Sequence, residues 1–208
     1  MSKIEKRGGL LGVEARAIDE KRTLVGYASV FNSPADIGGY WTEMIAPGAF
    51  ASQLTADVRA LVDHDSGRVI GRTKSGTLRL SEDAKGLRVE VDVPDTTNGN
   101  DLWVLVERGD ISGMSFGFRV TKEAWDETVD PPTRTIQAVE LTEVSAVAFP
   151  AYDDTTIGKR SLDEWRSANP QKPLAEETED PAAAPVTRAA LTKVRLKMSL
   201  DLKARSTR

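Results

Sequence analysis

Between residues 78 and 93 the chain alternates apolar and polar side chains. Leu78 and Leu80 flank Arg79, and Leu87, Val89, Val91 and Val93 are separated by Arg88, Glu90 and Asp92. A period of two sends successive side chains to opposite faces, so each run predicts a half-buried β-strand. Glu82-Asp83-Ala84-Lys85-Gly86 between them predicts the connecting turn. Similar runs predict strands at Leu24 to Phe31, Trp41 to Ile45, Val58 to Val62, Ser112 to Val120 and Thr135 to Phe149, the last with a break. Two segments depart from this pattern. Pro47 to Leu54 predicts a short helix. Thr97 to Glu107 predicts a longer one, with Leu102, Leu105 and Val106 at helical spacing and Gly109 as its stop. Many short strands with few helices predict a β-rich α+β fold, a barrel or sandwich decorated by helices.

Composition changes near residue 160. Pro170, Pro173, Pro181 and Pro185 fall in an Ala/Glu-rich stretch, and residues 186–208 are basic, with Arg188, Lys193, Arg195, Lys197, Lys203, Arg205 and Arg208 against Asp201. The expected organisation is a flexible N-terminus over residues 1–9, a domain over 10–158, a Pro/Ala/Glu-rich linker over 159–185 and a basic tail over 186–208. Leu191, Val194, Met198 and Leu202 in the tail follow helical spacing, which suits docking on a partner helix; a solvated, disordered tail is the alternative.

The chain has no cysteine and a single histidine, His64. Disulfides, a cysteine nucleophile and a Cys/His zinc site are excluded, and any mechanism needing an imidazole must use His64. A net charge of −4 argues against a general nucleic-acid coat protein, and no segment has the apolar length to span a bilayer. The start lacks the apolar stretch of a signal peptide, so a cytoplasmic protein is expected.

Three segments could carry chemistry. On a strand through Ile111 to Val120, Met114, Phe116, Phe118 and Val120 share one face, while Gly113, Ser115, Gly117 and Arg119 share the other. Ser115 would then stand between two residues without side chains, away from the core, where a substrate carbonyl could approach. Ser112 falls on the Met114 side and is the weaker candidate. The alternative is that the glycines mark a bulge or a close strand crossing. The second segment ends the strand Val58 to Val62 in Asp63-His64-Asp65. A neighbouring carboxylate would fix the imidazole tautomer, as a general base toward a serine requires. Ordinary turn chemistry, or a metal site made of the three residues, would also fit. The third segment, Ala138 to Ala151, carries Glu140 and Glu143 in an apolar β-rich run. Their opposite parity allows at most one to face the Ser115 side of a regular strand. Outward, solvated glutamates on an edge strand are the bland reading of either.

Taken together, these segments resemble the prohead proteases of tailed bacteriophages, serine proteases of capsid maturation related in fold to the herpesvirus assemblins. The resemblance rests on Gly26-Tyr27-Ala28-Ser29-Val30-Phe31, Ile45-Ala46-Pro47-Gly48-Ala49-Phe50, Asp63-His64-Asp65, Ile111 to Phe118, and Leu141-Thr142-Glu143-Val144-Ser145 followed by Phe149-Pro150-Ala151, in that order. It implies an assemblin-like, mainly antiparallel β-barrel with a few helices. It also implies a serine endopeptidase without cofactor or metal, with Ser115 as nucleophile, His64 as general base and Glu143 as the third member. Glu140 remains the alternative acid. Assemblins have a second histidine at the place of Glu143, which a chain with one histidine cannot supply. Their oxyanion-binding arginine has no match in Pro150-Ala151-Tyr152-Asp153-Asp154, which leaves backbone N–H groups, with Arg119 as a candidate helper. The implied substrates are the scaffold protein, or the scaffold-like N-terminal extension of the major capsid protein, and the chain itself. The site of action would be the prohead in the host cytoplasm, with self-association open and no direct nucleic-acid or membrane partner. A non-catalytic assembly protein of the same fold, or a metal-dependent hydrolase, are the rival readings.

Overall fold

The alternating segments form two hydrogen-bonded sheets in the computed structural model, which describes residues 4–9, 13–18, 21–149 and 166–168. In chain order the strands are β1 (Glu5–Gly9), β2 (Glu14–Ile18), β3 (Lys21–Val30), β4 (Ala35–Ile37), β5 (Trp41–Ile45), β6 (Arg59–Val62), β7 (Asp65–Arg72), β8 (Leu78–Glu82) and β9 (Gly86–Asp92). Helix α1 (Thr97–Glu107) precedes β10 (Gly113–Asp126) and β11 (Thr133–Val147). The smaller sheet has the order β2-β3-β9-β8. The larger has seven strands along β1-β10-β11-β5-β4, with β6 and β7 attached beside β11. Pairing is antiparallel except where β11 meets β5 and β6. All these elements lie in one compact unit, Met1–Asp163; in a second, Glu164–Arg208, the described residues 166–168 are helical. Among the described residues no helix is long and apolar enough to cross a membrane.

The β-rich α+β expectation holds, but the sheets do not close into a barrel. Alternation assigns a face to each side chain; closure depends on long-range pairing and stagger that a local period does not encode. The tail and nearly all of the expected linker lie outside the described residues.

One apolar cluster joins the elements. The smaller sheet contributes Leu24, Ala28, Leu78, Leu87, Val89 and Val91, and the larger contributes Ala60, Val62, Met114, Phe116, Phe118, Val139, Leu141, Val144 and Ala146. Helix α1 adds Leu102, Trp103 and Val106. Its start is capped by the Thr96 side chain, which accepts from the Gly99 N–H, and its end by Gly109 at φ +80°, the left-handed stop expected there. The shorter helix expected at Pro47 to Leu54 is only a 3₁₀ turn at Ala51–Gln53. Gly48 sits at φ +84°, outside helical geometry, and Phe50 is drawn wholly into the core. Phe50 stacks on Phe31 at 6.3 Å and meets the edge of Phe116 at 5.3 Å. Phe50→Ala is expected to destabilise the fold by about 3–5 kcal/mol. A lower denaturant midpoint at unchanged m-value would show it.

Within the segment expected to be a flexible N-terminus, residues Glu5–Gly9 form strand β1. β1 pairs antiparallel with β10, placing Arg7 opposite Phe116 and Gly8 opposite Ser115. Charge holds it there. Arg7 Nε donates to Glu43 Oε1 at 2.6 Å and Arg7 Nη2 to Glu5 Oε2 at 2.8 Å. Arg134 Nη1 reaches Glu43 Oε2 at 2.9 Å and Glu5 Oε2 at 3.0 Å. Glu5, Arg7, Glu43 and Arg134 are all buried. A strand stabilised this way carries no apolar alternation to read.

Candidate functional site

The face of the larger sheet turned away from the core carries the polar residues singled out in the sequence. Strand β10 sends Met114, Phe116 and Phe118 into the core, which leaves Ser115 and Gly117 on the opposite face. Opposite them on β11 stand Ser145 and Glu143 respectively. Facing partners in an antiparallel pair share a face, so these four residues form one patch.

Glu143 shares that face with Ser145 by simple alternation about the core residue Val144, and an irregularity in β11 brings Glu140 there as well. Gly117 pairs with Glu143 but Phe118 pairs with Leu141, so Thr142 is an extra residue in the ladder. Its hydroxyl donates to the Gly117 carbonyl at 2.6 Å. The bulge switches the parity of the strand: Val139 and Leu141 face the core before it, Val144 and Ala146 after it. Both glutamates therefore land on the Ser115 side, which a regular strand forbids. Only Glu143 meets the histidine. Glu140 is exposed opposite Arg119 and pairs with that guanidinium at 3.5 Å.

His64 comes from the connection between β6 and β7. Val62 pairs with Asp65, leaving Asp63 and His64 as a two-residue hairpin link. Both have positive φ, +50° and +60°, the pattern of a type I′ turn. Such turns favour Asn-Gly, so Asp-His is held with some backbone strain. The hairpin is anchored to β11: the Asp63 N–H donates to the Ala146 carbonyl at 3.0 Å, and Asp63 Oδ1 accepts from the Ala148 N–H at 3.2 Å. The segment is thus a turn, as its Asp-His-Asp-Ser-Gly chemistry suggested. The turn carries the imidazole back over β11, where Nδ1 lies 2.6 Å from Glu143 Oε1. A carboxylate only accepts, so Nδ1 carries a proton, and in the neutral imidazole Nε2 then bears the lone pair. Nε2 is buried and has no hydrogen-bond partner among the described residues.

The flanking aspartates take no part in that contact. Asp63 is occupied by the Ala148 N–H, and Asp65 Oδ1 accepts from the Gly67 N–H at 2.8 Å. The carboxylate beside the imidazole is instead 79 positions away along the chain.

Ser115 departs from expectation in two respects. It is fully buried, not open to an approaching chain, and its hydroxyl donates to the Arg7 carbonyl of β1 at 2.6 Å. The space left by Gly117, expected to admit substrate, is filled by Glu143: a Cβ there would lie 2.4 Å from Oε1. Sequence reasoning did not include the neighbouring strand. Ser112 is exposed and lies just before β10. The stretch Pro150 to Asp154 lies outside the described residues.

One polar residue of the patch was missed. Ser145 is buried and its hydroxyl donates to Glu143 Oε2 at 2.6 Å, the oxygen not used by His64. Its signal was its parity: two residues after Glu143, it must share that face.

Comparison with known proteins identifies the family of the chain. The caudovirus prohead serine protease family profile matches residues 12–168. The chain is 35% identical over 138 residues to the prohead protease of Enterobacteria phage HK97, covering 64% of this chain and 57% of that protein. It is 30% identical over 114 residues to the prohead protease of Escherichia phage T5, covering 52% and 51%. The chain therefore spans about half the length of these relatives. Among solved structures, the bacteriophage T4 capsid assembly protease aligns with a TM-score of 0.49 at 10% identity, over 71% of this chain and 98% of that one. The profile match takes in the strands from β2 to β11 and the residues His64, Ser115 and Glu143, and by it the chain belongs to the caudovirus prohead serine protease family.

Proposed function

We propose that this chain is the serine endopeptidase of phage capsid maturation, with Ser115 as nucleophile, His64 as general base and Glu143 as the residue orienting the imidazole. The observation that carries the reading is the 2.6 Å contact between His64 Nδ1 and Glu143 Oε1, with Nε2 buried and unpartnered beside it. An imidazole held in this tautomer is ready to take a proton at Nε2. In the reaction, His64 removes the Ser115 proton as Oγ attacks the scissile carbonyl, then returns it to the leaving amine. Water hydrolyses the acyl-enzyme by the same route. Glu143 stabilises the imidazolium that forms in each half-reaction. General-base action supplies roughly 10²–10⁴ in rate, and N–H donors aimed at the oxyanion a similar factor or more.

Attack requires the Ser115 hydroxyl to give up its hydrogen bond to the Arg7 carbonyl. Family membership supports capsid proteins as substrates: the scaffold or a scaffold-like extension of the major capsid protein, and the chain itself, inside the prohead. The domain over 10–158 would carry the activity and the basic tail would serve docking or be trimmed.

A second reading, a non-catalytic assembly protein of the same fold, is favoured by the burial of Ser115 and its bond to Arg7. A fluorophosphonate probe separates the two. The expected result is a single adduct on Ser115, located by peptide mass spectrometry and absent from His64→Ala. Folded protein that leaves Ser115 unmodified would favour the second reading.

A further inference from the structure

A half-buried carboxylate can orient an imidazole only if it is itself held in one place. Glu143 has about three rotatable side-chain bonds of freedom to lose, and two neighbours on its own face restrict it. Ser145, nearly inaccessible, ties down Oε2 with a 2.6 Å hydrogen bond. Gly117, opposite Glu143 on β10, leaves the berth into which the carboxylate folds. An added Cβ would come within 2.4 Å of Oε1 and 3.1 Å of both Cγ and Cδ. With Oε2 tied by Ser145 and the shaft seated against Gly117, Oε1 is presented to His64 Nδ1.

We propose that Ser145 and Gly117 are positioning residues of the site, acting on His64 through Glu143. The inference rests on the serine protease reading and adds two residues to it. Neither need touch the substrate. In Ser145→Ala the hydroxyl is lost and Oε2 has to find another donor, so the carboxylate samples other rotamers. In Gly117→Ala the group that must move is the end of a flexible side chain, not backbone, so the strain falls on the His64–Glu143 contact and the sheet remains.

The chain's single histidine makes the test direct, because every imidazole resonance belongs to residue 64. In full-length protein, ¹⁵N NMR is expected to show the Nδ1–H tautomer with a low-field Nδ1 proton. Ser145→Ala and Gly117→Ala should each broaden or lose that proton and mix the tautomers. Both should slow fluorophosphonate labelling of Ser115 by about 10- to 100-fold, the usual effect of removing a partner from a group that orients a functional side chain. Ser145→Thr, which keeps the hydroxyl, should restore both signals. If wild type reacts at Ser115 while both variants keep its imidazole spectrum and labelling rate, the inference is overturned and the protease reading stands. If folded wild type fails to react at Ser115, the protease reading fails, and the imidazole spectra then report only on the geometry of Glu143.

Discussion

Ser115→Ala is expected to abolish processing, lowering the rate roughly 10⁵–10⁶-fold, because the triad members of a serine protease act as a unit and the loss of one removes nearly all their combined effect. The fold should survive. Alanine fits a serine site, and the structural loss is the hydrogen bond to the Arg7 carbonyl, on the order of 1 kcal/mol. Intact-mass spectrometry of the purified chain, alone and after co-expression with capsid substrate, reads both self-cleavage and cleavage in trans. Wild type should yield products and Ser115→Ala none, at similar melting temperatures. Ser112→Ala should process normally, since that residue is exposed and outside β10. An inactive Ser112→Ala beside an active Ser115→Ala would reassign the nucleophile.

Glu43→Ala is expected to destabilise the fold by about 3–5 kcal/mol, as much as the loss of a large core side chain. Glu43 is 2% exposed and accepts from both Arg7 and Arg134, so truncation leaves two buried guanidinium groups short of their shared counter-ion. Burial alone would raise the Glu43 carboxyl, but the two arginines hold it below its ordinary value of 4.5. A carboxylate depressed in the folded state stabilises fully above its unfolded pKa and loses that contribution as pH falls through the folded value. Wild type should therefore lose this stability in acid, below about pH 4.5, while Glu43→Gln lacks that part of the acid limb. Urea midpoints measured from pH 7 into acid check both points. Equal acid slopes for wild type and Glu43→Gln would show that the cluster contributes through packing instead. The effect bears on the site because Arg7, which this cluster holds, supplies the carbonyl that binds the Ser115 hydroxyl.

The elements with a strong local period were legible in the sequence. Thr97–Glu107 is the helix its spacing predicts, down to the left-handed Gly109, and Trp41–Ile45 is the strand expected. The face of β10 was also readable, with Met114, Phe116 and Phe118 inward and Ser115 outward. β1 was not readable, because ion pairs rather than apolar alternation hold it. The choice between Glu140 and Glu143 could not be made either. Parity counts along one strand, and the bulge at Thr142 is visible only when β11 is set against β10.

The sequence by itself determined the chemistry available: one imidazole, a serine between two glycines, and glutamates in a β-rich run. It determined faces within each strand as well, because the backbone alone imposes a period of two. Only the tertiary structure decided which of these groups meet. The Asp63-His64 turn, the Thr142 bulge and the pairing of β1 with β10 all depend on contacts between residues far apart in the chain. Such contacts form against the entropy of closing long loops and are selected by the whole fold at once. That is why His64 finds Glu143, and Ser115 the Arg7 carbonyl, where no local pattern announces either.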